Sequence, residues 1–403
     1  IHPAQVWVAA TAAGRRTVNG AEFAQKVQDI LGYPVAILPA SEEARLISMG
    51  LTRYHPALSG LVADLGGGSI ELVHLKSGKI MHAASLNIGH LTSLTQDQIF
   101  AQVNSLDWLT ALKGQPLYGI GGSFRAIGSA YIARKQYPLR LLHGLEIAAT
   151  DCAEILSSLT PDVTDITGIP ASRQASISPA ASIMNAVISV ADISKLVVSG
   201  TSIRDGLMAD LSPVEDKDAD PLLLACGDIA RQSQRHKGLS EALAKLLSPV
   251  ASYFNDANLG VIGGSEHQLM RMVEAASLLS DICWNEPSDF RGQLAADRIL
   301  ALPVFSLTHI HRAWLAKAVL HRYVGTKKNK IQSFPANSLL SHRERVSSKA
   351  VGFGMRFALI FSGFSFYETV LRSPDMSIFV PPQIAYTDPD RPDAPLEVFI
   401  IPV

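Results

Sequence analysis

An aspartate and a glutamate lie on either side of a glycine run at residues 61–73, which read LVADLGGGSIELV. The pattern predicts a strand, a tight turn and a second strand, because glycine allows the positive φ and the close backbone approach of such turns. The glycine amides and the Ser69 hydroxyl could line an anion site, and Asp64 could hold a hard cation through oxygen or through water. The run is also compatible with an ordinary turn. It is not a dinucleotide fingerprint, since a strand and not a helix follows the glycines.

Two further glycine turns have the character of anion sites. Residues 117–128 read LYGIGGSFRAIG, a short strand followed by Gly121, Gly122 and Ser123 and then by a helical pattern. We expect Ser123 to cap that helix, whose free N–H groups could bind an anion. Residues 195–208, KLVVSGTSIRDGLM, repeat the order strand, turn and helix. Three such turns in one chain favour a fold that handles phosphate.

The elements around these turns alternate between strand and helix, which predicts a layered α/β architecture over the first half of the chain. Residues 6–9 and 34–38 are expected as strands and residues 20–31 as a helix, and Ser41 is expected to cap a helix over residues 42–50. A polar, proline-bounded break at residues 211–221 predicts a linker. The pattern beyond it is helical to about residue 323, and short strands and loops are expected at the end.

Composition identifies the chain as a globular protein. Of its 403 residues 47% are hydrophobic and 18% are charged, and the net charge is −1, which argues against a disordered chain and against a wholly basic nucleic-acid binder. No apolar run approaches the roughly 20 residues that span a bilayer. Cys152, Cys226 and Cys283 lie in apolar helical patterns, which predicts buried reduced thiols and a cytoplasmic protein.

Positive charge is concentrated in one stretch. Residues 309–356 contain ten Lys or Arg and a single acid, so the rest of the chain is acidic. A basic block of this kind predicts a path for a polyanion, although a solvated helix face is the alternative. The side chains assigned to this path are Arg312, Arg322, Lys327, Lys328, Lys330, Arg343 and Arg345.

Two motifs at a fixed separation resemble one protein family. They are SEEARL at residues 41–46 and DLGGGSIE at residues 64–71. The chain is similar to the exopolyphosphatase / guanosine pentaphosphate phosphohydrolase family of the actin-like ATPase superfamily. Further similarity lies at residues 9–20, 119–125, 199–206, 275–284 and 312–325. The family opens with an Asp-Ile-Gly-Ser-Asn-Ser type of strand and turn that this sequence lacks, so it is expected to be N-terminally truncated relative to the family.

The resemblance implies an α/β fold with two actin-like (ribonuclease H-like) domains, followed by an all-helical degenerate His-Asp-like domain and a small C-terminal α/β domain. The expected boundaries are residues 1–47 for a remnant of the first actin-like domain, 48–212 for the second, 220–325 for the helical domain and 326–403 for the last. A working His-Asp site needs adjacent His and Asp ligands, and the corresponding place reads Leu279-Ser280-Asp281. The helical domain is therefore expected to be structural and to bind polyanion.

The resemblance also assigns roles in the site. Two solvated glutamates at a helix N-terminus are favourable for the helix dipole, and the residues alone do not choose between Glu42 and Glu43, whereas the resemblance implies that Glu43 is the catalytic base. Arg15 is implied as a contact to phosphate, and Asp64 and Glu71 as ligands of Mg²⁺. The implied phosphate-binding residues are Gly66, Gly67, Gly68, Ser69, Gly121, Gly122 and Ser123. Arg125 is compatible with either a phosphate contact or a surface charge.

The activity that follows from the resemblance is Mg²⁺-dependent hydrolysis of the terminal phosphoanhydride of inorganic polyphosphate, with guanosine pentaphosphate as the alternative substrate. The basic block favours polyphosphate. A non-catalytic polyphosphate or alarmone binder is a second possibility, and an actin-like sugar or acetate kinase is a third that the SEEAR motif argues against. A homodimer is expected, with neither nucleic acid nor membrane as a partner.

Overall fold

The structure is a computed structural model. It describes residues 6–160, 166–212, 219–233, 238–256, 262, 266–325, 334–361, 387–388 and 391–395. Contacts within the chain form two compact units. The first unit comprises residues 1–224 with 303–309, and the second comprises residues 225–302 with 310–403. The domain boundaries expected inside these units stay predictions.

The first unit is built on a six-stranded sheet, here called the main sheet. Its strand order is β5-β4-β3-β6-β8-β7, in which β3, β6 and β8 are parallel neighbours and the remaining pairs are antiparallel. Its strands are β3 (Gly60–Leu65), β4 (Ile70–Lys76), β5 (Lys79–Leu86), β6 (Pro116–Ile120), β7 (Leu145–Ala148) and β8 (Lys195–Val198). The strand, glycine turn and strand expected at residues 61–73 are confirmed.

A smaller two-stranded sheet precedes the main sheet in the chain. Its strands β1 (Val8–Ala10) and β2 (Val35–Ile37) are parallel. Between them lie the short helix α1 (Ala12–Arg16) and the helix α2 (Gly20–Leu31), which has the predicted bounds. The next helix, α3 (Ala40–Thr52), begins before the expected residue.

The predicted N-cap of α3 is wrong. Pro39 occupies the cap position in an extended conformation, and no side chain caps the helix. Proline lacks an N–H and has a fixed φ, so it can precede a helix without leaving a donor unsatisfied. Ser41 consequently lies inside the first turn.

Helices cover the two faces of the main sheet. They are α4 (Gln96–Asn104), α5 (Gly122–Arg134), α6 (Ala149–Ser157), α7 (Gln174–Ala191) and α8 (Ile203–Leu211), with 3₁₀ turns at Asp107–Leu112 and Ala171–Arg173. Leu61, Ala63 and Leu72 lie in the core cluster on the face towards α5 and α7. Val62 and Val73 lie in the cluster on the opposite face, with residues of α3.

This alternation fixes the direction of the carboxylates. Side chains along a strand point to alternate faces. Asp64 therefore shares the face of Val62, and Glu71 shares the face of Val73, which is the side on which α3 packs. Both acids of the glycine hairpin thus lie on the same side of the sheet as Glu43.

The described residues of the second unit are mostly helical, as predicted for residues 221–323, and they include a short antiparallel pair, β9 (Thr387–Asp388) and β10 (Arg391–Pro395). Its helices are α9 (Pro221–Ser233, whose first four residues belong to the first unit), α10 (Leu239–Asp256), α11 (Glu266–Leu278), α12 (Arg291–Leu300), α13 (His309–Val324, whose first residue belongs to the first unit) and α14 (His342–Phe361). Cys152 of the first unit and Cys226 and Cys283 of the second are buried free thiols, as predicted. Within the described residues, no helix combines the length and apolarity that a bilayer crossing requires.

Candidate active site

Three turns meet at one edge of the main sheet. They follow β3, β6 and β8, which are parallel neighbours, so that their carboxyl ends lie side by side. Ser199, the first residue after β8, donates its N–H to the carbonyl of Gly119 on β6. Ligands of parallel sheets bind outside the carboxyl ends of the strands. The grouping of the three glycine turns is therefore a consequence of the strand order.

The two carboxylates of the first turn are direct partners in the strand ladder, Asp64 on β3 and Glu71 on β4. Glu71 is buried and accepts hydrogen bonds from the hydroxyls of Ser69 (2.8 Å) and Ser85 (3.1 Å). Within the described part of the chain, no hydrogen bond to the Asp64 carboxylate is found. Burial and the charge of Glu71 raise the pKa of Asp64 to about 6, while Arg125 acts in the opposite direction.

This pair suits a hard divalent cation. Mg²⁺ is held by one or two carboxylates, with water and substrate phosphate filling the other positions. In the described residues no cluster of three or more His, Cys, Asp or Glu side chains could hold a metal, so a cation at this place would have no more than these two carboxylates as side-chain ligands.

The glycine turn is braced from behind by the loop that follows β5. His90 and Leu91 donate their N–H groups to the carbonyls of Gly66 (3.2 Å) and Gly67 (2.9 Å). A Cβ on Gly89 would lie 2.2 Å from the Gly67 oxygen, so only glycine allows this approach. Among the described residues the N–H groups of Gly67 and Gly68 donate to no other backbone group. An anion could therefore accept from these two amides, and their assignment to phosphate stays a prediction.

Ser69 differs from its predicted role. Its side chain is buried, and its hydroxyl donates to Glu71. Since the single hydroxyl proton is used in that bond, Ser69 orients a carboxylate and does not serve as a donor to phosphate. The sequence analysis did not anticipate this bond.

The second turn lies against Asp64. Gly121 has φ 98°, and a Cβ there would be 3.0 Å from Oδ1 of Asp64. Gly121 occupies the N-cap position of α5, so the expectation that Ser123 caps this helix is wrong. The positive φ explains why glycine takes that place. Ser123 is the second residue of α5 and is buried.

An arginine that the sequence analysis did not select lies over this helix N-terminus. A Cβ on Gly122 would be 2.3 Å from Nη2 of Arg173, so the guanidinium rests on the first turn of α5. Its charge also contributes, after burial, to a lowered pKa of His90. A helix N-terminus is itself electropositive. The guanidinium adds positive charge beside the free N–H groups of this helix end, which favours an anion at its side.

Glu43 is oriented by Arg15. Glu43 is only 3% exposed and accepts a hydrogen bond from Nη1 of Arg15, which also donates to the carbonyl of Leu38 (2.5 Å). Burial lowers the pKa of the Arg15 guanidinium, opposed by Glu71 and reinforced by Arg16. The charge of Glu71 thus acts on Arg15, the same arginine that binds Glu43. Arg15 therefore links Glu43 on α3 electrostatically to Glu71 on the hairpin.

The sequence alone did not choose between Glu42 and Glu43 as the candidate base, and the contacts of the two side chains differ. Glu42 is held by Arg45 through two hydrogen bonds of 2.7 and 2.9 Å, and Arg45 also binds Asp210 on α8 at 2.8 Å. Glu42 is therefore tied to the contact between α3 and α8. Glu43, one residue further on, is the buried carboxylate on the side of the glycine turns.

Two more arginines border the glycine turns. Arg16 is exposed and donates to the carbonyl of Gly68 at 2.7 Å. Arg125, in the first turn of α5, lowers the pKa of Asp64 by its charge. Together with Arg15 and Arg173 these side chains form what we call the arginine cluster. Four guanidinium groups beside two carboxylates and free glycine amides suit a multiply charged phosphate.

The basic stretch of the second unit departs from its prediction. Arg312 is 1% exposed and donates to the carbonyls of Leu302 (2.6 Å) and Leu300 (3.4 Å). Arg322 is buried and pairs with Asp281 at 2.6 Å. These two side chains stabilise the helical unit, so their assignment to a polyanion path is wrong. Arg343 is exposed and Arg345 half-buried, and Lys327, Lys328 and Lys330 lie outside the described residues.

Asp281 forms a buried ion pair inside the helical unit. Asp281 is fully buried at the position where the sequence lacks the His of a His-Asp pair. Arg322 contacts its carboxylate and lies 3.9 Å above the ring of Tyr323. A buried carboxylate needs a partner of opposite charge, and here the partner is a guanidinium.

Comparison with known proteins gives family matches over most of the chain. Residues 1–215 match the Ppx/GppA phosphatase family, and residues 244–393 match the family described as exopolyphosphatase, C-terminal. Among solved structures, the chain is similar to the Ppx/GppA family member from Aquifex aeolicus, at 21% identity over 51% of this chain and 73% of the other, with a TM-score of 0.41. An exopolyphosphatase from Cytophaga hutchinsonii matches at 18% identity over 52% and 76%, with a TM-score of 0.45.

Proposed function

The chain belongs to the Ppx/GppA phosphatase family, and we propose that it removes the terminal phosphate of inorganic polyphosphate in a Mg²⁺-dependent hydrolysis. The observation that carries the proposal is the grouping of a buried, Arg-oriented Glu43 with the Asp64–Glu71 pair and the amides of the glycine turn. The match of residues 244–393 to the exopolyphosphatase C-terminal family supports polyphosphate as the substrate.

In this proposal the arginine cluster binds the terminal phosphate. Phosphoryl transfer places charge on the oxygens of the transferred group, and catalysis depends on positioning and on stabilising that charge. Gly67 and Gly68 donate backbone N–H groups to these oxygens, while Arg173 and Arg125 contribute charge from the side of α5. Planar guanidinium groups match phosphate through paired hydrogen bonds.

Glu43 accepts the proton of the attacking water. A general base must lie within hydrogen-bond reach of the water and be held in orientation, and Arg15 supplies the orientation. As Arg15 engages the incoming phosphate, the Glu43 oxygen that it contacts becomes available to the water. Asp64 and Glu71 would hold Mg²⁺, which when bound neutralises negative charge on the phosphate oxygens.

A second substrate, guanosine pentaphosphate, is favoured by one observation. A cavity of about 680 Å³ lies beside the brace of the glycine turn, between Gly89 and the start of α7. Its lining side chains are uncharged, among them Thr92, Gln174 and Ser178. Such a lining does not suit polyphosphate, but a polar, partly apolar cavity of this size suits a nucleoside. Arg173, adjacent to Gln174, could then contact the attached phosphates.

The wider architecture belongs to the same proposal. We infer two actin-like domains in the first unit, a degenerate His-Asp-like helical domain and a small C-terminal α/β domain in the second. We also propose that the protein works as a cytoplasmic homodimer.

The test is orthophosphate release by the full-length protein from long-chain polyphosphate and from guanosine pentaphosphate, with Mg²⁺ and with EDTA. The proposal expects release from polyphosphate that requires Mg²⁺. Tight, salt-sensitive binding of polyphosphate without any release would instead identify a non-catalytic binder. Phosphorylation of a small acceptor by ATP would identify a kinase and would also contradict the proposal.

A further inference from the structure

Three polar side chains lie in one row across three adjacent strands of the main sheet. Asp64 on β3 is the ladder partner of Glu71 on β4, and Glu71 is in turn the ladder partner of Ser85 on β5. Directly opposite residues of neighbouring strands lie on one face of the sheet. Asp64 and Glu71 belong to the glycine motif, whereas Ser85 lies outside it. Ser85 is thus a direct neighbour of a proposed Mg²⁺ ligand, and it has no role in the proposed function.

Ser85 acts on one particular oxygen of Glu71. Its hydroxyl donates to Oε1 at 3.1 Å, and the hydroxyl of Ser69 donates to the same oxygen at 2.8 Å. Among the described residues, Oε2 of Glu71 accepts no hydrogen bond. Because Glu71 is only 5% exposed, water has little access to replace the two hydroxyl donors. The carboxylate is therefore held with Oε1 occupied and with Oε2 left for another partner.

Arg16 fixes the direction of the Ser85 hydroxyl. Its Nη2 lies 3.5 Å from Oγ of Ser85, at the long end for a hydrogen bond, while its Nη1 donates to the carbonyl of Gly68 at 2.7 Å. A serine hydroxyl has one proton and can also accept, whereas an ionised carboxylate only accepts. With a guanidinium on one side and a carboxylate on the other, the proton of Ser85 is directed to Glu71.

We propose that Ser85 is a positioning residue that confines Glu71 to coordination through the single oxygen Oε2 and thereby favours Mg²⁺ over Ca²⁺. The inference rests on the proposed function, which assigns Mg²⁺ to Asp64 and Glu71. Ca²⁺ takes carboxylates through one oxygen or through both and tolerates irregular geometry, whereas Mg²⁺ requires a small, nearly octahedral shell. A carboxylate with one oxygen engaged by two hydroxyls is not available as a two-oxygen ligand, so a coordination mode of the larger ion is removed.

The experiment measures ion binding by the full-length protein without substrate. The probe is Mn²⁺, whose free form is counted by electron paramagnetic resonance and which prefers the same oxygen ligands as Mg²⁺. Ser85→Thr and Ser85→Val are a matched pair of nearly equal shape, of which only the threonine variant keeps the hydroxyl. We expect Ser85→Val to bind Mn²⁺ about tenfold more weakly than the wild type, because hydrogen-bond partners of metal ligands control metal affinity. Ser85→Thr should bind as the wild type does.

Displacement of Mn²⁺ by Mg²⁺ and by Ca²⁺ tests the selectivity. Ser85→Val should shift the ratio of the two affinities towards Ca²⁺, whereas Ser85→Thr should keep the wild-type ratio. A merely structural disturbance would weaken the binding of both ions alike. Ser157→Ala is the control, because it removes an exposed hydroxyl that donates to the carbonyl of Glu154, and it should leave both affinities unchanged.

Thermal unfolding without added ion checks that each variant folds, and Ser85→Ala replaces Ser85→Val if the strand does not accommodate valine. A hydroxyl-free variant with the wild-type ratio of Ca²⁺ to Mg²⁺ affinity would overturn the inference, whatever its absolute affinity, and the proposed function would stand. A wild type without saturable Mn²⁺ binding would overturn the inference together with the assignment of Mg²⁺ to Asp64 and Glu71.

Discussion

Asp64 is the residue whose surroundings have the clearest energetic consequence. Its pKa of about 6 lies above the ordinary value of 3.8, first because of burial and second because of Glu71. The folded state therefore holds the Asp64 proton more tightly than the unfolded state does. Stability falls as pH rises between these two values, and the full cost of the ionised carboxylate is present above about pH 6.

Asp64→Asn should consequently stabilise the protein while it removes activity. Without Mg²⁺ at about pH 7.5, we expect the free energy of unfolding to rise by about 1–3 kcal/mol, and the gain should disappear near pH 4, where wild-type Asp64 is protonated. Thermal unfolding at the two pH values measures both effects. Mg²⁺ should raise the melting temperature of the wild type more than that of the variant. A variant less stable than the wild type at the higher pH would contradict this assignment.

Arg173 tests the arginine cluster. Arg173→Gln removes a charged donor at the N-terminus of α5, which we expect to lower kcat/KM for polyphosphate about 10- to 100-fold. Arg134→Gln is the control, because Arg134 lies at the other end of α5 and, among the described residues, its one hydrogen bond is to Ser158 at 2.7 Å. Initial rates of phosphate release compare the two variants. Equal rates for both would place Arg173 outside the phosphate site.

At the residue scale, the sequence predicted the positions that strand geometry determines. Asp64 and Glu71 face each other because the glycine turn forces a hairpin. The bond from Ser69 to Glu71 and the approach of Arg173 to Gly122 depend on side-chain conformation and on segments far apart in the chain. Local sequence patterns do not determine such contacts, so these two could not be predicted from the sequence.

Among the elements, the loop after β5 determines the shape of the glycine turn. Gly89→Ala would place a Cβ 2.2 Å from the Gly67 oxygen and 2.5 Å from the Gly68 nitrogen. Displacing the turn should cost about 1–3 kcal/mol of stability and lower kcat/KM at least about tenfold.

Gly227→Ala is the matched control for this change. It lies within α9, and the nearest atom to its added Cβ is a flexible Arg231 nitrogen at 3.9 Å. We expect this variant to keep its activity and to gain up to about 1 kcal/mol of stability from helix propensity. If Gly89→Ala retained wild-type kcat/KM, the bracing of the turn would have no catalytic importance.

The elements themselves were more predictable than their ends. Helix α2 and the three strand-to-turn units follow from hydrophobic periodicity and from glycine. The caps did not follow, since Pro39 and Gly121 take the positions expected for Ser41 and Ser123. Backbone dihedral angles and neighbouring segments determine which residue takes the N-cap position. A hydroxyl side chain near the helix start is only one way to provide a cap.

At the scale of the whole molecule, charge counted along the sequence was a poor guide to the polyanion path. Arg312 donates to carbonyls, and Arg322 neutralises Asp281 inside the helical unit. A sequence count does not separate such buried guanidinium groups from exposed ones. The positive charge that faces the candidate site comes instead from Arg15, Arg16 and Arg125, together with Arg173.

The measurement that tests the central claim most directly is phosphate release from polyphosphate by Glu43→Gln beside Glu42→Gln, in the full-length protein with Mg²⁺. Loss of a general base should lower kcat by about 10²–10⁴-fold, with polyphosphate binding retained. Glu42→Gln should keep most of the wild-type rate, because Glu42 pairs with Arg45 on α3. A Glu43→Gln enzyme that releases phosphate at the wild-type rate would contradict the account.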